Sequence, residues 1–254
     1  VRATARGLAA GCLAAALGCA ATVAPAYLDA LAAGDRALVA GRSREAAEAY
    51  DRAVREARRA RDRDEAEYRA GQALARLGAT GEALDRFDRV AARSPDFERG
   101  ARAAYEAATI RCAAEATREA GLTALAALVR ERPATGPARL AVTALLRADD
   151  ARDATRAASL ARIDGLLAEA AVRATPLRET LRAEQARRLA ETGREAEAER
   201  AWRTLFEEVP YPQNSRWDDG HVALATLLRR RGDARGAVAA LDAMLAPRDP
   251  ACVG

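Results

Sequence analysis

Lysine is absent from this chain, and all 41 basic residues are arginine. Aromatic residues make up 4% of it, histidine and methionine occur once each, and there are four cysteines. Each shortage closes off a class of chemistry. Without lysine there is no phosphate-cradling glycine loop of the kind that places a lysine on the phosphates, and no Schiff-base nucleophile. A single histidine, His221, excludes any site built on two imidazoles. It falls in the first helix of the last unit described below, without a Ser or Cys nucleophile in the pattern around it, and reads as a packing residue. Val, Ile, Phe and Tyr are sparse, so there is little from which to build a sheet. Cys12 and Cys19 lie near the start; Cys112 and Cys252 are far apart and lack metal-ligand spacing, so no disulfide framework is legible. Cys112, among Ile110, Ala113 and Ala114, is expected to behave as a buried small hydrophobe. Acidic pairs such as Asp149-Asp150 and Asp218-Asp219 are adjacent and point apart on a helix; both read as helix N-terminal charge. No catalytic residues, metal or cofactor are expected.

What the chain has is alanine, leucine and charge. Half of its residues are hydrophobic and 31% are charged, with Ala and Leu, both strong helix formers, supplying most of the apolar content. The net charge is only +4, and the signs are mixed, as in the run from Arg55 to Glu65. Nucleic-acid binders concentrate one sign, so no nucleic-acid partner is expected. The run reads as a solvated helix with opposite charges close along it.

Residues 1–18 are different in kind. Arg2 and Arg6 precede an uncharged stretch from Gly7 to Gly18, and no acid appears before Asp29. A basic head followed by a short apolar run resembles a secretory signal and is too short for a stable transmembrane anchor. Ala15-Ala16-Leu17-Gly18-Cys19 resembles the bacterial lipoprotein signal, which implies lipidation at Cys19; Leu8 to Cys12 fits the local pattern too, but with almost no apolar run before it. In that resemblance the non-acidic Ala20 implies delivery to the outer membrane, facing the periplasm. An ordinary cleaved signal with an incidental Cys, or a buried first helix, are the other readings. The expected organisation is a signal over 1–18, a lipidated Cys and linker over 19–26, a helical repeat domain over 27–251 and a tail over 252–254. The end directly follows a unit, without an amphipathic closing helix, so either more chain continues or a partner covers that end.

Two markers repeat along the chain. Prolines at 95, 133, 210 and 250 are separated by 38, 77 and 40 residues, and Gly41, Gly78, Gly193 and Gly232 by 37, 115 and 39. Both series give a period near 38, and they alternate as a two-helix unit requires, with Gly at a helix C-terminus and Pro between helices. Segment 64–97 resembles a tetratricopeptide repeat: Gly71 at the small contact position, Leu74 inside the first helix, Gly78 ending it, Ala83, Phe87 and Val90 on one face of the second helix, Pro95 closing the unit. Segments 27–60, 102–135, 179–212 and 218–251 follow the same plan, with Gly121 replacing the usual Ala in 102–135. Segment 136–175 is degenerate and offers helical patterns at 137–148 and 152–173 split by Asp149-Asp150. The resemblance implies an all-α, right-handed superhelical solenoid of antiparallel helix pairs, of about six units, stabilised mainly by neighbour interfaces; a long-helix bundle is the alternative.

The family resemblance also implies a protein-binding groove on the first helices of the pairs. Carried onto the better units, its groove positions are Tyr68, Gln72, Arg76, Arg187, Thr226, Arg229 and Arg230, a set suited to carboxylates and hence to acidic peptides or proteins. Trp202 is expected in the core, and Trp217 as core or exposed anchor. The signal, the helical pairs and the phrase from Tyr211 to Asp219 are together loosely similar to the outer-membrane β-barrel assembly lipoprotein family. The expected function is a non-enzymatic interaction scaffold of the bacterial envelope, held to the membrane by a lipid only. An outer-membrane assembly component, or the repeat portion of a larger envelope enzyme, are the alternatives.

Overall fold

The computed structural model describes residues 22–94 and 98–246. The signal reading over 1–18, lipidation at Cys19, Pro95, Pro250 and the tail with Cys252 lie outside these residues. Within them the chain is a succession of helices: α1 (Pro25–Val39), α2 (Ser43–Glu56), α3 (Ala60–Leu77), α4 (Thr80–Arg93), α5 (Glu98–Ala113), α6 (Arg118–Glu131), α7 (Gly136–Arg152), α8 (Ala157–Ala168), α9 (Ala170–Arg173), α10 (Leu177–Glu191), α11 (Glu195–Glu208), α12 (Trp217–Arg230) and α13 (Ala234–Leu245). A 3-10 turn, Glu115–Thr117, joins α5 to α6. No strand occurs among the described residues. The all-α class and the antiparallel pairing of consecutive helices are as expected.

The glycine series is explained by the loops inside the pairs. Gly41, Gly78, Gly193 and Gly232 have φ of 74°, 81°, 75° and 82°. In the α3–α4 loop the Gly78 amide donates to the Ala75 carbonyl and the Ala79 amide to that of Leu74. The same pair of bonds recurs at Gly41, Gly193 and Gly232. This is the Schellman closure, which satisfies orphan carbonyls of the last turn and needs a left-handed residue that only glycine occupies without strain. Where the repeat lacks its glycine the loop changes: α5 and α6 meet through the 3-10 turn, and Arg156 before α8 takes φ 61° itself.

Two compact units are distinguished, residues 1–86 and 87–254. In the first, α1 packs on α2 and α2 on α3. Tyr50 of α2 is fully buried over Gly34 of α1, where an added Cβ would overlap the tyrosine ring. In the second, the pairs α5–α6, α10–α11 and α12–α13 are each closely packed, and α7 and α8 bridge between them. One apolar cluster runs from Ala101 to Leu181 and includes Leu125, Val142, Leu145 and Ile163. A second gathers Leu160, Trp202, Leu205, Leu224 and Leu228. The substitution at Gly121 has a steric cause: a Cβ there would lie 2.7 Å from the Ala108 carbonyl oxygen and 2.6 Å from Cys112 Sγ. Ala83, Phe87 and Val90 are buried, as their spacing implies.

Three expectations are corrected. Asp149-Asp150 does not split the fourth pair, because α7 runs through both to Arg152 and the break falls at 153–156. The two carboxylates therefore sit at a helix C-terminus, unfavourable for the dipole, and arginines from elsewhere offset this. Arg162 donates twice to Asp149, and Arg188 and Arg156 each reach Asp150 at 2.8 Å. Asp218-Asp219, by contrast, does lie in the first turn of α12. Cys112 is half-buried at a cleft beside Leu122 and Leu125 rather than enclosed; burial pushes its thiol pKa up.

The mixed charge has a second use beyond solvation along a helix. Asp35 pairs with Arg69, Asp51 with Arg86, Glu119 with Arg152, Arg130 with Glu169, Asp150 with Arg188, and Glu199 with Arg231. Their separations run from 32 to 39 residues. That is about one repeat, so these ion pairs tie one helical pair to the next, and Asp35–Arg69, Asp51–Arg86 and Asp150–Arg188 join corresponding helices.

Candidate cleft between α10 and α12

Amphipathic packing directs the apolar faces of α10, α11 and α12 inward, onto Ala186, Leu189, Trp202, Leu224 and Leu228. What remains outside between α10 and α12 is a cleft of about 280 Å³, with Trp202 of α11 contributing to its wall. Arg187, Ala190 and Glu191 line it from α10, and Ala223, Thr226, Leu227 and Arg230 from α12. These α12 positions are spaced three, one and three apart, which puts them on one face. Three of the residues carried over from the family groove, Arg187, Thr226 and Arg230, are thus brought to one place.

The cleft is apolar at its wall and charged at its edges. Arg187 is half exposed and pairs with Glu184 at 3.1 Å; Arg230 reaches Glu195 at 3.8 Å. The Thr226 hydroxyl donates to the Val222 carbonyl at 2.8 Å. Both guanidiniums have intramolecular carboxylates near them, and Glu191 lies in the cleft. A carboxylate ligand therefore gains only by replacing exposed, weakly coupled ion pairs. What the geometry can do is hold an apolar side chain against Trp202 and Leu227 while an arginine takes a flanking carboxylate.

The other groove candidates are placed differently. Arg229 is exposed, does not line this cleft, and has no ion-pair partner among the described residues. Tyr68, Gln72 and Arg76 lie on α3, in the first unit. Tyr68 is buried, and the Gln72 amide donates to its hydroxyl at 3.1 Å; Arg76 is exposed.

Beside this cleft is an aromatic group that sequence reasoning read one residue at a time. Phe206 stacks on His221 with centroids 3.8 Å apart and meets Trp217 edge-on at 5.4 Å. Trp202, at the wall of the α10–α12 cleft, stacks on Phe206 at 6.3 Å. The Trp217 indole N–H donates to the Met244 carbonyl at 3.1 Å, and the residue is half-buried, between the two alternatives its position left open. His221 is buried as expected, with burial the main cause of a pKa below the ordinary imidazole value. The signal that could have grouped these residues is the absence of a side chain at Gly220, where a Cβ would lie 2.8 Å from Phe206.

Among the described residues no cluster of three or more potential metal ligands occurs, and no helix is long and apolar enough to cross a membrane. No protein-family model matches the chain, and no curated protein matches it. Among solved structures it is similar to a thermophilic TPR protein of Thermus thermophilus, at 24% identity over 80% of this chain and 100% of that one, with a TM-score of 0.41. It is also similar to a tetratricopeptide repeat protein of Parabacteroides merdae, at 17% identity over 89% and 81%, with a TM-score of 0.46. A third similar structure is the Rap conjugation gene regulator of plasmid pLS20 in complex with the Phr* peptide, at 11% identity over 87% and 75%, with a TM-score of 0.43.

Proposed function

We propose that this chain is a non-enzymatic interaction scaffold that holds a peptide segment of another protein in the α10–α12 cleft. The observation that carries this reading is the convergence of Arg187, Thr226 and Arg230, from two helices, around an apolar wall of Trp202 and Leu227. Rigid helices hold such a surface in place, so a partner loses little affinity to ordering it. The preferred segment has an apolar side chain followed by a carboxylate. The test is capture of partners from the native host by the full chain, compared with the Arg187→Glu/Arg230→Glu variant and with Ala223→Trp, which fills the cleft. Both variants should lose the same partners, and added salt should weaken capture. Identical recovery by all three proteins would sink the cleft as the recognition site.

The export reading completes the proposal. The basic head, apolar run and Cys19 support a lipid-anchored protein on the periplasmic side of the bacterial outer membrane. Palmitate labelling of cells expressing the full chain or its Cys19→Ser variant tests it: label should enter only the former. Unlabelled protein retaining Val1 would remove the anchor and leave the cleft reading intact.

A further inference from the structure

α12 serves two clefts. Its residues at 223, 226, 227 and 230 face the cleft shared with α10, while Trp217, His221 and Leu224 are on another face, roughly a third of a turn away at about 100° per residue. On that second face lies a cleft of about 330 Å³ between α11 and α13. Phe206 of α11 contributes to one wall, and Ala239 and Ala240 of α13 to the other. α13 offers only Gly236, Ala239, Ala240 and Ala243 there, and Trp217, His221 and Leu224 of α12 line the cleft with them.

His221 is the group that sets the chemistry. It is only 3% exposed, yet it lines the cleft. Its Nδ1 lies 2.8 Å from the Trp217 carbonyl oxygen. A carbonyl can only accept, so Nδ1 carries the proton and Nε2 of the neutral ring carries a lone pair. Nε2 has no hydrogen-bond partner among the described residues, nor is it sealed away from solvent. Burial favours the neutral ring, against the Trp217 hydrogen bond and the charge of Asp218. The charged residues lining the cleft, Arg203 and Glu207, are both on α11 and carry opposite signs; no charged residue of α13 lines it.

We infer that this cleft binds the side chain of a tyrosine from a partner protein, with the phenol O–H donating to His221 Nε2 and the ring lying among Phe206, Trp217 and Leu224. A deeply set acceptor calls for a donor at the far tip of a flat apolar side chain, and the phenol is built that way. The volume holds one such ring together with part of its flanking backbone. The site is independent of the α10–α12 cleft, so each reading can fail without the other.

The single histidine makes the test direct, because the imidazole signals of the full chain belong to one residue. N-acetyltyrosinamide, titrated at neutral pH, should shift the His221 Hε1 and Nε2 resonances saturably. N-acetylphenylalaninamide, which lacks the donor, should bind about three- to tenfold more weakly, the range set by one net hydrogen bond. Ala239→Leu blocks the cleft from an exposed position, keeps the reporter and should abolish the shift. His221→Phe, followed through the Trp217 indole signal, should bind the two probes equally. Arg187→Glu/Arg230→Glu should leave the tyrosine response unchanged. Absence of a saturable shift, equal affinity of the wild type for both probes, or unimpaired binding by Ala239→Leu would each overturn the assignment; the wild-type and Ala239→Leu results decide the matter should His221→Phe fail to fold.

Discussion

Arg188 and Asp150 are 38 residues apart in sequence and 2.8 Å apart at their charged atoms. Arg188 also holds Glu184 one turn earlier on its own helix, and Asp150 also accepts from Arg156. Burial acts to raise the Asp150 pKa, but hydrogen bonds from Ser159, Arg188 and Arg156 outweigh it and hold the carboxyl below its ordinary value. The arginine is 9% exposed and the carboxylate 14%, so this pair is only slightly screened.

Removing one partner should therefore be costly, because the other is left charged in a poorly hydrated place. Asp150→Ala is expected to lose on the order of 3 kcal/mol in urea unfolding. An Arg188→Met/Asp150→Leu double variant should recover most of that, since a well-packed apolar pair often replaces a buried ion pair without loss. The depressed carboxyl contributes stability that is complete above the unfolded-state pKa of about 4 and is lost as pH falls through the folded value. Asp150→Asn should flatten the acid limb of the stability profile; an unchanged limb would contradict the pairing.

Tyr50 supplies the opposite sign. Its hydroxyl donates to Asp35 at 2.7 Å, and Arg69 binds the same carboxylate oxygen at 2.6 Å. Burial and then the Asp35 hydrogen bond raise the phenol pKa to about 12. A raised folded pKa gives stability that is complete below the unfolded value of about 10 and disappears as pH rises through 12. Tyrosinate absorbance should show an ionisation near pH 12, and Tyr50→Phe should delete that late step while removing part of the alkaline loss of stability.

Two glycines of one chain should respond to alanine in opposite directions. Gly78 has φ 81°, and Gly78→Ala should cost about 1–2 kcal/mol for the left-handed conformation, although the space around it is open. Gly165 is an exposed interior residue of α8 with nothing within 4 Å of a new Cβ, so Gly165→Ala should stabilise by about 0.5–1 kcal/mol. Thermal unfolding of the two variants measures both signs.

Gly121 offers a third kind of response. Its backbone is ordinary, but a Cβ would strike the Ala108 carbonyl oxygen of α5. Gly121→Ala should lose about 1–3 kcal/mol by overpacking, and Cys112 should become more reactive to an alkylating reagent as α5 and α6 part. Equal thermal midpoints for the variant and the parent would show that the two helices have room to spare.

The four loop glycines were readable in advance because a left-handed residue is a local backbone demand, met by one residue type at one place in the loop. The face of Ala83, Phe87 and Val90 was readable because helical periodicity is equally local. The meeting of Arg187, Thr226 and Arg230 was readable only through a family resemblance that supplied the geometry of consecutive pairs. Asp149-Asp150 was misplaced for a related reason. An acidic pair resembles a helix start when its neighbours are unknown, and only Arg162, Arg156 and Arg188 explain why it can end a helix.

The sequence by itself determined that this is a helical chain, where its helices turn, and which of their faces are apolar. These follow from propensities and spacings within a few residues. Tertiary structure alone decided which of several nearby carboxylates each arginine takes, because partners one turn away and one repeat away have the same charge and differ only in where packing puts them. It also decided that His221 presents a free lone pair to a cleft. That outcome needed the Trp217 carbonyl to claim Nδ1 and the ring of Phe206 to cover one face, with only small residues of α13 lining the same cleft.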